Sequence, residues 1–434
     1  MNSKFKKIMG ICLSMVLAFS VTLPAYAEPI CGFGCLDDYE FDKTTGHLFI
    51  GKEIEDKSIA SFIYSFCVKP FSLEDVKSVT IKEGVKSIAN KPAYEQGGGG
   101  VFNGCVNLKE VEIPSSVTSI GQQAFYGCTG LTSITIPNSV KEIGDHAFYG
   151  CTGLKEVKIP YGVTKIGTRA FNGCLNLEEM TIPNSVTEIG DSAFAGTGLK
   201  EVKIPDSLSN GHFMSAFSDC ENLEKVELPR YLKLIPAFAF SGCTGLKEVK
   251  IPYGVTKIGA SAFLNCTSLK EVTIPNSVTY IGGELRISRD YDGKLVIISD
   301  RRIRDKSGAF KGCTSLEKVE IPNSVTKISD EAFRYCTSLK EVTIGNGVKE
   351  IGSCAFGGCT GLTSISIPDS VTSIGIAAFI TCEHLEKVEI PRSVTSIGNQ
   401  AFDECRSLRE VTIPNRFAQI ANDAFERFTN VTLQ

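Results

Sequence analysis

Seventeen cysteines and four histidines are the residues of this 434-residue chain best equipped for chemistry, and their spacing decides what chemistry is open to them. Twelve cysteines form one column: Cys105, Cys128, Cys151, Cys174, Cys220, Cys243, Cys266, Cys313, Cys336, Cys359, Cys382 and Cys405. Most steps in it are 23 residues, far from the short paired spacing of a zinc site. Side chains repeating once per turn of a coil stand about 4.8 Å apart. A disulfide wants its Cβ atoms at about 3.5–4.5 Å. The column therefore reads as buried free thiols packed as small hydrophobes. Thr197 takes one place in it, which suits a packing role. Cys12 lies in the apolar N-terminal run, and beyond it Cys31, Cys35, Cys67 and Cys354 stand outside the column. The candidate disulfides are Cys31 with Cys35, or Cys35 with Cys67, in an exported chain where such bridges persist.

The remaining chemistry is thin. His47, His146, His212 and His384 lie far apart and share no column. There is no His-Glu-x-x-His pair, no nucleophile elbow and no phosphate loop. The run Gly97 to Gly100 lacks a following Lys-Ser or Lys-Thr and reads as a flexible loop within an insertion at 90–100. Acidic residues alternate with lysine in the same columns, as on a solvated face. The sequence predicts no catalytic residues, no metal ligands and no cofactor, and the chain is not read as an enzyme.

The elements that hold these residues follow from the period. Phe recurs at Phe102, Phe125, Phe148 and Phe171, and onward to Phe425, preceded by Ala in every copy except the first. An Ile-Pro step recurs from Pro114 to Pro414. Within one copy, Val157 and Ile159 alternate with Lys158, a short strand with one buried face. Pro160 ends it, because proline has no N–H for the ladder. Val163 and Ile166 point inward before Gly167 turns the chain, and Ala170-Phe171 closes the coil. One copy alone has too little core to offset backbone entropy of about 1–2 kcal/mol per residue. Stacked copies bury their apolar faces against one another, so the chain is a solenoid, with Phe125, Phe148, Phe171, Cys128, Cys151 and Cys174 as its structural ladder.

The pattern Leu-x-x-Val-x-Ile-Pro-x-x-Val-x-x-Ile-Gly-x-x-Ala-Phe-x-Gly-Cys resembles the BspA-type branch of leucine-rich repeat proteins over roughly residues 76 to 433. The resemblance implies a right-handed leucine-rich repeat solenoid with a parallel β-sheet on the concave face and a convex side of coil and short turns. The segment Tyr39 to Gly51 is similar to the small N-terminal β cap that precedes such arrays. It further implies a secreted or cell-surface protein of bacteria or parasitic protists, whose studied relatives act in adhesion to host matrix and cells.

Residues 1–27 read as a signal peptide: Lys4, Lys6 and Lys7 precede an apolar run from Ile8 to Leu23, and Ala25-Tyr26-Ala27 is a small-x-small cleavage site, so cleavage is expected after Ala27. Residues 28–72 form the cap region and 73–434 the solenoid. The mature chain holds no span, and its tail predicts release into the medium or retention through a partner. A net charge of −4 and a pI near 5.8 set up no field for nucleic acid. The outward strand column, from Thr80 through Lys158 to Thr412, is polar, mixed in sign and free of aromatics.

Two irregularities break the uniformity. At 282–308 the strand spacing becomes two periods plus one residue, as if one turn were replaced by an irregular repeat or by a β-hairpin with a turn at Asp292-Gly293. Arg286, Arg289, Arg301, Arg302 and Arg304 cluster there around Tyr291, either as a contact site for an extracellular partner or as charges that keep an edge soluble. Residues 151–167 and 243–259 are identical, so Tyr161 and Tyr253 read as copied scaffold. The expected function is an interaction and adhesion module binding host or neighbouring-cell proteins, or alternatively a self-associating structural array.

Overall fold

The computed structural model describes residues 39–50, 72–88, 100–282, 308–415, 418–427 and 429–434, together with the backbone of 286–289 and 295–298. The unit from Asp38 to Gln434 is built almost wholly of short strands joined by turns. The signal segment, Cys31, Cys35, Cys67 and Gly97 to Gly99 lie outside the described residues.

Each turn contributes two strands, and like strands pair in parallel one turn apart. Glu156–Lys158 sets Glu156, Val157 and Lys158 opposite Glu179, Met180 and Thr181. Val157 is buried between two exposed neighbours, so one face of the ladder is core and the other solvent. A second ladder runs through strands of two residues, such as Lys165–Ile166, which pairs with Glu142–Ile143 on one side and Glu188–Ile189 on the other. At the N-terminal end, Tyr39–Asp42 pairs antiparallel with His47–Ile50, which then joins Ser78–Ile81 in parallel.

The interior repeats as faithfully as the sequence. Phenylalanine rings stack from Phe102 to Phe425 with centroids 5.0 to 5.9 Å apart along the ladder. The thiol column is free and buried, and from Cys128 onward its sulfurs also bond the preceding turn. Cys151 Sγ donates to the carbonyl of Phe125 in the preceding turn at 3.1 Å, and Cys174 Sγ to Phe148 at 3.2 Å. Thr197 fills the same place and donates to the Phe194 carbonyl at 2.9 Å.

Two corners of every regular turn are left-handed. The residue before Ala-Phe has φ of 56° at His146, 53° at Arg169 and 54° at Cys354, and the residue before the Cys column has φ of 68° at Gly150 and 71° at Gly173. Glycine suits the second corner, but Thr381 occupies it at φ 57°. A β-branched residue there is strained by about 1–2 kcal/mol. Thr381→Gly should therefore raise stability by about 1 kcal/mol, read as a higher urea midpoint at unchanged slope. A lower midpoint would show that the Thr381 hydroxyl, bonded to the Ile380 carbonyl at 2.7 Å, outweighs the strain.

The irregular segment does not replace a turn. Strand Glu271–Thr273 pairs directly with Lys318–Ile321, Phe263 stacks on Phe310 at 5.2 Å, and Cys313 Sγ reaches the Phe263 carbonyl at 3.2 Å. The two ends of the insertion meet: a Cβ on Gly282 would sit 3.7 Å from the Gly308 Cα. The stack thus closes beneath the insertion, which leaves at a left-handed corner. Within it, Arg286–Arg289 pairs antiparallel with Leu295–Ile298, Arg289 facing Leu295. Five residues, 290–294, separate that last pair. Replacing residues 283–308 by the Ala-Ser pair that stands at 260–261 should leave the unfolding free energy within about 1 kcal/mol of the parent. A larger loss would show that the insertion packs on the stack.

Candidate interaction surface

The ladder geometry determines which side chains reach solvent. Outward lysines and glutamates from neighbouring turns pair along the sheet face: Lys200 with Glu178 at 2.5 Å, Lys203 with Glu227 at 2.5 Å, Lys247 with Glu224 at 2.6 Å and Lys340 with Glu317 at 3.2 Å. Lys200 holds the Glu178 carboxyl below its ordinary value. These pairs are well exposed, so solvent screening leaves each a minor contributor to stability, and their main effect is to cancel charge locally. Lys158 lies between Thr135 and Thr181 in the ladder and has no acidic partner among the described residues.

A ridge follows the proline turns. Tyr161 is 73% exposed, Tyr231 66% and Tyr253 81%, so none of the three is scaffold packed into the coil. Arg230 is fixed there: its Nε and Nη2 donate to Asp206 Oδ2 at 2.8 and 2.6 Å, and its backbone N–H donates to Oδ1 at 2.8 Å. This pairing holds the Asp206 carboxyl below the usual range, and the guanidinium carbon lies 5.7 Å from the Tyr231 ring centre.

Elsewhere the surface is shallow. Gly345 stands where other turns carry proline, and the strand corner beside it opens into a groove of about 530 Å³ lined by Thr343, Asn346, Ser366, Asp369 and Glu389. A second groove of about 520 Å³ runs past Ile376 and Gly398. Lys311, Glu331 and Arg334 form a half-buried cluster, with Lys311 Nζ 2.8 Å from Glu331 and Arg334 bonded to the same carboxylate.

The histidines stay apart. His47 meets Ser78 at 2.6 Å, His212 meets Asn210 at 3.2 Å, and His384 meets the Thr360 carbonyl at 2.7 Å. Burial and the nearby Arg169 guanidinium push His146 below its ordinary value. Among the described residues no group of three His, Cys, Asp or Glu is placed to hold a metal. No helix among them is long and apolar enough to cross a membrane. Of the residues named from sequence, Phe125, Phe148 and Phe171 stack in one ladder, and Cys128, Cys151 and Cys174 lie in one column. Arg286 and Arg289 begin and end one strand of the hairpin. Tyr291, Arg301, Arg302 and Arg304 lie outside the described residues. Tyr161 and Tyr253, read from the sequence as copied scaffold, are exposed. The signal was present in their place one residue after proline, where the chain turns away from the core.

The chain matches the BspA type leucine rich repeat region, in six copies, over residues 98–213, 212–285 and 305–432. Among solved structures it is similar to a leucine-rich repeat protein from Bacteroides ovatus, at 28% identity over 91% of this chain and 97% of that one, with a TM-score of 0.48. It is also similar to a leucine rich cell surface protein from Faecalibacterium prausnitzii, at 25% identity over 91% and 92% of the two chains, TM-score 0.44. A leucine-rich repeat protein from Eubacterium ventriosum follows at 23% identity over 88% and 90%, TM-score 0.47. No curated protein matches.

Proposed function

The chain belongs to the BspA-type leucine-rich repeat family, and from that premise we propose that it is a non-catalytic interaction module, exported to the cell surface or beyond, that adheres to host or neighbouring-cell proteins through its solenoid. The observation that carries this reading is the closure of the stack beneath residues 283–307. The ladder is continuous across Gly282 and Gly308 without this segment, and we read the segment as the contact element. Arg286, Arg289, Tyr291, Arg301, Arg302 and Arg304 give it the residue types favoured at protein hot spots. The export signal over residues 1–27 and the candidate bridges among Cys31, Cys35 and Cys67 belong to the same reading.

The test compares the full chain with the variant in which Ala-Ser replaces 283–308, on immobilised extracellular-matrix proteins and on epithelial cells. Saturable binding that falls at least tenfold in the variant supports the reading. Equal binding by both, or none by either, removes the insertion from the adhesive role.

A further inference from the structure

The identical stretches 151–167 and 243–259 place the same two side chains at the same point of their turns. Tyr161 and Tyr253 each follow the proline, and Lys158 and Lys250 each lie three residues earlier on the outward face of the strand. Both tyrosines are largely uncovered, at 73% and 81%. Neither lysine is in an ion pair among the described residues, although neighbouring lysines on this face are. Lys250 pairs in the ladder with Thr273, and Glu227 in the turn before it is committed to Lys203 at 2.5 Å. Four turns separate the copies, about 19 Å at roughly 4.8 Å per turn. Among the described residues neither tyrosine has a ring or cation contact and neither lysine has an ion pair.

We propose that Tyr161 with Lys158, and Tyr253 with Lys250, are two equivalent subsites for one linear acidic polysaccharide. A tyrosine ring offers a flat apolar face to the C–H face of a pyranose, with little rotamer entropy lost. The unpaired ammonium three residues earlier in the same turn takes the carboxylate of a uronic acid. Two identical subsites select a ligand that repeats, because a folded protein partner presents an irregular surface while a polymer presents the same unit again about 19 Å along. Bridging both subsites turns the second contact into an intramolecular one, so avidity exceeds either single affinity by about 10²–10⁴. The net charge of −4 opposes any general attraction for polyanions, so affinity for this class has to come from the local pairs. This inference goes beyond the protein-adhesion reading and does not depend on it.

The test measures binding of the full chain to polygalacturonate and hyaluronan, to a galacturonate trimer, to methyl-esterified polygalacturonate and to poly-L-glutamate. The expected result is binding of at least one uronate polymer, loss of at least tenfold on esterification, and no retention of polyglutamate. Tyr161→Ala and Tyr253→Ala should each lower polymer affinity at least tenfold, while trimer affinity changes at most about twofold because one subsite remains. The double variant should lose both, with circular dichroism unchanged since both side chains are exposed. Failure to bind either uronate polymer, undiminished polymer binding by the double variant, or equal retention of polyglutamate would overturn the proposal.

Discussion

Phe171→Ala is expected to cost about 3–5 kcal/mol, the range for emptying an aromatic site in a close-packed interior. The ring is fully buried between Phe148, at 5.0 Å and 6°, and Phe194, at 5.5 Å and 7°. Collapse into the cavity is blocked because the backbone on both sides is pinned: Phe171 N–H donates to the Ala193 carbonyl at 2.7 Å, and Cys174 N–H to the Phe171 carbonyl at 3.2 Å. Stability in a stack is a sum of turn and nearest-neighbour terms, so one emptied turn weakens two interfaces and leaves the rest intact. Urea unfolding of the variant should accordingly split into two steps as the two portions part. Phe425→Ala is the internal comparison. Its ring is partly buried and, among the described residues, stacks on Phe402 alone, at 5.1 Å, so its loss should be clearly smaller and the transition should stay single. Equal losses at both positions, or less than about 1 kcal/mol at Phe171, would contradict a stack held by neighbour contacts.

The sequence made the fold readable because packing imposes columns. Val157, Ile159, Ala170, Phe171 and Cys174 meet the same neighbours in every turn, so their types recur and their burial follows. The second ladder was harder to foresee, since a two-residue strand such as Lys165–Ile166 shows no alternation to read. The left-handed corner before Ala-Phe leaves no mark either. Gln123, His146, Arg169, Ser192 and Phe238 all occupy it, because inter-turn bonds such as His146 N–H to the Thr168 carbonyl at 2.8 Å hold the backbone whatever the side chain. Strand spacing across 282–308 suggested a replaced turn, because spacing counts residues and says nothing of whether Gly282 and Gly308 touch. The exposure of Tyr161 and Tyr253 was not legible in their repetition, because identity in sequence argues for copying and says nothing of whether the copied side chain packs inward.

Raising the pH is expected to unfold the stack abruptly above about pH 9, an order of behaviour set by the thiol column. Burial pushes Cys151, Cys313 and Cys359 up to about 12 and Cys220 to about 11. An unfolded thiol releases its proton near 8.5. The folded chain therefore keeps protons that the unfolded chain gives up. Each thiol's contribution is intact below about pH 8.5 and is lost as the pH climbs toward the folded values. In that window each such thiol removes about 1.4 kcal/mol of stability per pH unit. Several acting together exceed a typical stability of about 5–15 kcal/mol within little more than one unit. Circular dichroism from pH 7 to 11, followed alongside thiolate absorbance, should show structure lost and thiols ionised in one coincident step. At pH 7 the folded chain should alkylate its column thiols at least about a thousandfold more slowly than the denatured chain, since an opening cost near 4 kcal/mol gives that factor. Replacing Cys151, Cys174 and Cys243 by Thr, the residue already accommodated at Thr197, should flatten the alkaline loss by removing three titrating protons. Thiols that ionise near pH 8.5 while the strands persist would show that the sulfhydryl bonds to the Phe carbonyls do not hold the column closed, and that the sulfurs only fill space.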